Sequence, residues 1–283
     1  MSETTINLSP SVTQGRITLW VEDALTKAYL STAWAPEDTL FDISMAGSHH
    51  TVIGLVHDAR LKGIASTFGL VDRDFRSTNR PNWANTSRKI ETFRLDSHEA
   101  ENFLLHWEAM AGCRENQKFF NRSLQSIEAR AQQIAAGMVW YMACRKVLVD
   151  NQHTIDDGYP RHPPPTDVNS LQDALDFITS RPWYQSIRQR AHHVSDSAQI
   201  QTALQDAYTQ YDADLDSGAW RRTFSGKEIF TELKGWMTNY RNVTATEQNI
   251  NLAISIAEWQ QNNSRVPLEA IELKSAMRTR VGI

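Results

Sequence analysis

Cysteine is nearly absent: the 283 residues contain two, Cys113 and Cys144. So few thiols cannot build a disulfide framework or a four-thiolate zinc site. They fit a reducing cytoplasm, with both read as small buried residues. No stretch approaches the ~20 apolar residues that span a bilayer, so no membrane segment is expected. The opening Met1-Ser2-Glu3-Thr4-Thr5 is polar and lacks the apolar core of a secretory signal. An excess of one charge is missing too. Lys and Arg number 29 against 33 Asp and Glu, for a net charge of −4. That balance excludes a generally basic, nucleic-acid-coating surface and leaves only a local one. A phosphate-cradling Gly-x-x-x-x-Gly-Lys-Ser/Thr loop is also lacking: Ser225-Gly226-Lys227-Glu228 has neither the first Gly nor the hydroxyl. Any ATP-driven step must then come from another protein.

What is present suffices for a folded core, with 41% hydrophobic residues and nine Trp. The first hundred residues alternate strand and helix signals. Arg16–Val21, Phe41–Met45 and Thr67–Val71 are short, apolar and partly β-branched, and read as strands; Thr92–Leu95 is a candidate fourth. Helical patterns follow Glu22-Asp23 and run from His49 to Lys62, with Gly63 suited to the C-cap. Short joints between alternating elements predict an α/β unit with a mostly parallel sheet.

Beyond residue ~97 the pattern becomes almost continuously helical. Asp96 followed by Glu99 reads as a helix N-terminus with its capping partner. Phe120, Leu124, Ile127, Ala131, Ile134, Met138 and Tyr141 mark one face of a long helix over Glu115–Asp150. That face suits the core of a helical subdomain or a dimer interface. Pro160 and Pro163–Pro165 mark a rigid connector, and helices are expected near 168–178, 198–212 and 244–261. Trp220–Phe224 reads as a further short β segment returning to the first sheet. The expected organisation is therefore a core over 15–105, a helical insertion over 106–217, a return segment over 218–238, and C-terminal helices over 239–283.

Acidic residues stand where strands end. Glu22 follows the first strand; Asp72 and Asp74 follow the third. Open α/β sheets place their sites at the carboxyl ends of strands. A lone Asp-x-Asp reads most simply as a solvated turn, but Glu22 at an equivalent end points to a shared cation. Oxygen-only ligands suit Mg²⁺ or Mn²⁺ over zinc. From Phe75 to Ile90 the chain carries Arg76, Arg80, Arg88 and Lys89, no acid, and Trp83 among them. Basic groups beside an aromatic suit phosphate contact and base stacking, or form a solvated loop. Arg221 and Arg222 extend the basic set. His49-His50 suit a helix cap or phosphate donors better than metal ligands.

Leu19-Trp20-Val21-Glu22-Asp23, then Met45-Ala46-Gly47, then Gly69-Leu70-Val71-Asp72-Arg73-Asp74 resembles the Toprim domain of topoisomerases, primases and certain nucleases. The chain departs from the common Val-Glu-Gly by having Val-Glu-Asp, with Thr26 where many members carry an acid. His98-Glu99-Ala100-Glu101-Asn102-Phe103-Leu104 and Ser225-Gly226-Lys227-Glu228 narrow the resemblance to Toprim effectors beside ABC-type ATPases in anti-phage systems. The overcoming-lysogenisation-defect nucleases and the AriB-type effectors of PARIS systems are of this kind. The resemblance implies metal binding by Glu22, Asp72, Asp74 and Glu101. It implies phosphate chemistry supported by Lys227, a nucleic-acid substrate (tRNA or DNA) and an ABC-type ATPase partner. A first-turn surface lysine and a solvated helical Glu remain the plain readings of Lys227 and Glu101. A catalytically inactive Toprim-like docking subunit, or a phosphatase with Asp72 as nucleophile, are the alternatives.

Overall fold

The computed structural model describes residues 16–155, 185–186, 189–192, 196–237 and 245–283, with the side chains of 37, 38, 152–155 and 245–248 excepted. The expected helix at 168–178 and the prolines at 160 and 163–165 lie outside the described residues.

The molecule is α/β. Four parallel strands form one sheet in the order β2-β1-β3-β4, with β1 Ile17–Val21, β2 Phe41–Met45, β3 Thr67–Val71 and β4 Thr92–Arg94. The β-branched and apolar character of β1 and β3 suits strands covered on both faces. All five residues of β3 are buried. Helix α1 (Ala24–Ala33) links β1 to β2, and α2 (His49–Leu61) links β2 to β3. Asp23 caps α1, its Oδ1 accepting from the Thr26 N–H at 2.8 Å. Ser48 caps α2 in the same way, and Gly63 (φ 76°) follows its end. A Cβ on Gly69 would lie 2.6 Å from Val52 Cγ1, so the missing side chain lets α2 pack closely on β3.

This strand order has a functional consequence. The chain leaves β1 toward β2 on one side and then crosses back to β3 on the other. The reversal lies between β1 and β3, where open parallel sheets form their crevice.

The described residues fall into two compact units. One comprises those up to Ala135 and from Ala219 onward; the other runs from Ala136 to Gly218. Residues 106–135 and the C-terminal helices thus belong with the sheet. Further helices are α3 (Trp107–Gly112), α4 (Leu124–Ile155), α5 (Ser197–Ser217), α6 (Trp220–Thr223), α7 (Gly226–Met237), α8 (Ala245–Asn262) and α9 (Leu268–Val281). Helix α8 is pinned to α1 through buried Gln260, which accepts from the Tyr29 hydroxyl at 2.7 Å and donates to the Phe103 carbonyl at 2.9 Å. Helix α9 holds the chain after β4 through Glu269, whose Oε2 accepts from the Ser97 hydroxyl at 2.7 Å. In the second unit, Trp140 of α4 packs on Tyr208 of α5 with ring centroids 4.2 Å apart. Among the described residues, no helix is long and apolar enough to cross a membrane.

Several expectations are corrected. Trp220–Thr223 is helical, and the sheet gains no strand from it. Buried Trp220 and Phe224 are four residues apart, which fits one helical face, with exposed Arg221 and Arg222 between them. The long helix begins at Leu124, not Glu115: Asn121 turns left-handed (φ 48°). The Asn116 amide closes that break by donating to the carbonyls of Ala111 and Arg122. Asp96 is not a cap; it pairs with Arg80 and Arg222, and the short 3-10 segment Ala100–Leu104 begins after Glu99. Trp83 is 2% exposed, edge-on to Phe93, and is core rather than a stacking platform. Cys113 is buried, whereas Cys144 is exposed.

Candidate metal centre

The carboxyl ends of β1 and β3 bring Glu22 and Asp72 together. The Asp72 N–H donates to Glu22 Oε1 at 3.0 Å, across 50 residues of sequence. Gly47 secures the same corner: with φ 92° it turns the chain after β2, and its N–H donates to the Glu22 carbonyl at 2.9 Å. Asp74 has a left-handed backbone (φ 50°), a conformation that costs on the order of 1 kcal/mol for a residue with a side chain. Its N–H donates to the His98 carbonyl, which ties the end of β3 to the segment after β4. Strain of this kind persists where the surroundings over-determine it, as functional sites do.

The segment after β4 completes the cluster. The Ala100 N–H donates to Asp72 Oδ1 at 3.0 Å, so the 3-10 segment carries Glu99 and Glu101 up to Asp72. Both glutamates are buried, with Glu99 6% and Glu101 7% exposed. Burial pushes the Asp72 carboxyl well above its ordinary range, and the charges of Glu101, Glu22, Glu99 and Asp74 add to the rise. Burial likewise pushes Glu101 up to about 8, reinforced by Asp23 and Glu99. Glu22 is also raised, first by burial and then by Asp74 and Asp23, against the Asp72 N–H and Arg76. So many carboxylates in one low-dielectric corner need protons or a cation. Asp74, His98 and Glu99 each offer a ligand atom, all within 4.8 Å of one another, and these three could hold a metal ion.

The return segment joins the cluster by hydrogen bonds instead of strand pairing. The His98 N–H donates to the Arg222 carbonyl at 2.8 Å. The Asn102 amide donates to the carbonyls of Arg221 and Phe224 at 2.9 and 3.0 Å. Glu99 Oε2 accepts from the Ser225 hydroxyl and from the Lys227 N–H, each at 2.8 Å. Gly226 makes the approach possible, because a Cβ there would lie 2.5 Å from the Asn102 nitrogen. Lys227 is exposed, yet its charge favours the ionised form of Glu101. Glu22, Asp72, Asp74 and Glu101 therefore lie in one acidic corner, and the charge of Lys227 reaches it through Glu101.

His98 and Glu99 are the members that sequence reasoning missed. Glu99 reads as a cap partner in the sequence. The available signal was the His-Glu-x-Glu run directly after a strand. Asp23, the departure from the Toprim pattern, caps α1 while its charge still acts on Glu22 and Glu101.

The basic residues divide. Arg76 sits beside the acids, its Nη1 2.9 Å from His49 Nε2. Arg80 is held by Glu272 and Asp96, Arg222 by Asp96, and Arg221 by Glu128 while lying over the Trp107 ring. Arg88 and Lys89 are exposed on the loop before β4. Comparison with protein-family models, curated proteins and solved structures finds no match to the chain.

Proposed function

We propose that this chain is a metal-dependent nuclease of the Toprim type, which hydrolyses phosphodiester bonds of tRNA or DNA. What carries the reading is one observation: carboxylates from β1, β3 and the 3-10 segment meet the Lys227 segment at the β1/β3 reversal of a parallel sheet. The donor set fits a divalent ion of the Mg²⁺ or Mn²⁺ class, since five carboxylates dominate it and His98 supplies a single nitrogen. Glu22, Asp72, Asp74, Glu99, Glu101 and His98 are the groups that would hold it. When bound, such an ion relieves charge at a phosphate and lowers the pKa of a water. Lys227 contributes a fixed positive charge beside the acids, suited to stabilising charge that develops on the phosphate. Glu99 positions Lys227 by accepting its backbone N–H. Ser225 and Asn102 hold that segment in place.

In the cell this activity would be a toxic effector of bacterial anti-phage defence, restrained by an ABC-type ATPase partner. The exposed apolar side chains of Trp140, Tyr141 and Leu148 support a homodimer or partner contact on α4. The test is purified protein with Mg²⁺ or Mn²⁺, incubated with plasmid, single-stranded DNA and total tRNA. Cleavage that is lost in EDTA and in Glu22→Gln is the expected result. Nucleic-acid binding without cleavage of any of them would instead favour an inactive docking subunit.

A further inference from the structure

Among its oxygens the acidic corner holds one buried imidazole, and that placement bears on which ion the site takes. His98 Nε2 lies 4.0 Å from Glu99 Oε1, longer than a hydrogen bond. One ligand atom each from Asp74, His98 and Glu99 falls within 4.8 Å of the others. The second Glu99 oxygen, Oε2, is committed to the Ser225 hydroxyl and the Lys227 N–H. Glu99 thus turns one oxygen to the return segment and the other toward the imidazole. Three contacts fix His98 itself. Its carbonyl accepts from the Asp74 N–H at 2.9 Å, and its N–H donates to the Arg222 carbonyl at 2.8 Å. Its ring stands edge-on to Phe75, with centroids 4.9 Å apart. A side chain locked by packing and by its own backbone bonds is a preorganised donor.

Two properties of this trio weigh against Mg²⁺. The first is chemical. Imidazole nitrogen suits first-row transition ions, whereas Mg²⁺ is matched by oxygen ligands. The second is burial. His98 is 1% exposed and Glu99 6%. Mg²⁺ dehydrates reluctantly and usually keeps several waters, which a corner walled by two buried ligands accommodates poorly. Mn²⁺ suits carboxylates as Mg²⁺ does, and it gains from the nitrogen besides. Asp74 is partly exposed and forms the wet side, where a water or a phosphate oxygen would complete the shell.

Resting on the metal-dependent nuclease reading, we propose that His98 is a direct nitrogen ligand of the cation and makes the centre select Mn²⁺ over Mg²⁺. The carboxylates supply the charge that draws any divalent ion, and His98 decides which one is held.

The test is pulsed electron paramagnetic resonance of the full chain loaded with Mn²⁺, beside calorimetric titration of the metal-free protein with Mn²⁺ and with Mg²⁺. Wild type should show coupling of the Mn²⁺ spin to ¹⁴N, replaced by ¹⁵N coupling when its histidines are ¹⁵N-labelled. The coupling should vanish in His98→Gln and persist in His49→Gln, His49 being the histidine on the Glu22 side of the acids. His98→Gln should bind Mn²⁺ at least about tenfold more weakly, the lower end of the scale for groups that only support a metal ligand, while its Mg²⁺ affinity changes less. Circular dichroism checks its fold; should it not fold, labelled wild type and His49→Gln decide the matter. Failure of wild type to bind Mn²⁺, absence of histidine coupling in the Mn²⁺-loaded protein, or loss of the coupling in folded His49→Gln overturns the proposal. So does Mg²⁺ binding as tight as Mn²⁺ binding. Histidine coupling without cleavage of plasmid, single-stranded DNA or tRNA in Mn²⁺ keeps the ligand and rejects the nuclease. Metal-dependent cleavage without histidine coupling keeps the nuclease and rejects the ligand.

Discussion

The strand ends and the return segment supply the same site by different physics. At the strand ends, position follows from the sheet: five-residue parallel strands aligned side by side must deliver Glu22 and Asp72 to neighbouring places. The return segment has no such lattice. Residues 221–227 arrive through five hydrogen bonds, one to His98 and two each to Glu99 and Asn102, and through one glycine contact. Regular secondary structure thus fixes the acids cooperatively, while the lysine depends on a few separable contacts. The two halves should respond differently to substitution.

The largest effect is expected at the strand ends. Glu22→Gln, Asp72→Asn and Asp74→Asn should each abolish metal-dependent cleavage while the protein still folds, because each removes a negative ligand from the cation. Cleavage assays and far-ultraviolet circular dichroism check both parts. Retained cleavage in all three variants would break the comparison at its root.

Next comes Lys227→Met. It should lower the cleavage rate by about 10²–10³, the scale for losing one preorganised charge stabiliser, with metal affinity unchanged. A merely exposed lysine would show normal rates, as most surface substitutions do.

Gly226→Ala should act on stability. Its Cβ would overlap the Asn102 backbone, which belongs to the buried 3-10 segment. A loss of roughly 1–3 kcal/mol is expected from such overpacking, measured by urea unfolding. A neutral result would mean that the return segment yields easily and that its contacts do not hold the lysine.

The smallest effect is a pH dependence. The folded pKa of Glu101, about 8, lies above its ordinary value of 4.5. A raised folded pKa gives stability that is present below the unfolded value and is lost as pH rises through the folded one. In EDTA, wild type should therefore lose melting temperature between about pH 4.5 and pH 8 more steeply than Glu101→Gln, the window set by the two pKa values of this group. Parallel slopes for the two proteins would show that Glu101 ionises freely.

Legibility in the sequence followed the same divide. The strands could be read because short β-branched runs ended in turn residues, and Glu22, Asp72 and Asp74 were visible as acids directly after them. Lys227 was legible from the Ser-Gly-Lys motif, but its route was not. Trp220 and Phe224 carry strand-favouring side chains, yet burying both on one helical face wins. Glu99 was hidden because a capping role and a site role use the same residue type in the same place. Trp83 looked like a stacking surface in a basic loop, whereas α9 and β4 enclose it, with Arg280 donating to its carbonyl. Arg80 looked free until Glu272, 192 residues later in the chain, proved to be its partner. Contacts set by distant chain segments leave no local pattern to read.

The central claim is that the buried acids form a cation site, and calorimetric titration of the metal-free protein with Mn²⁺ at pH 7 tests it most directly. A cation must displace the proton that Glu101, with its pKa pushed up to about 8, retains at that pH. The account predicts saturable binding whose heat varies with the ionisation enthalpy of the buffer, and loss of that binding in Asp72→Asn. Absence of saturable binding by wild type, or equal binding by folded Asp72→Asn, would contradict it.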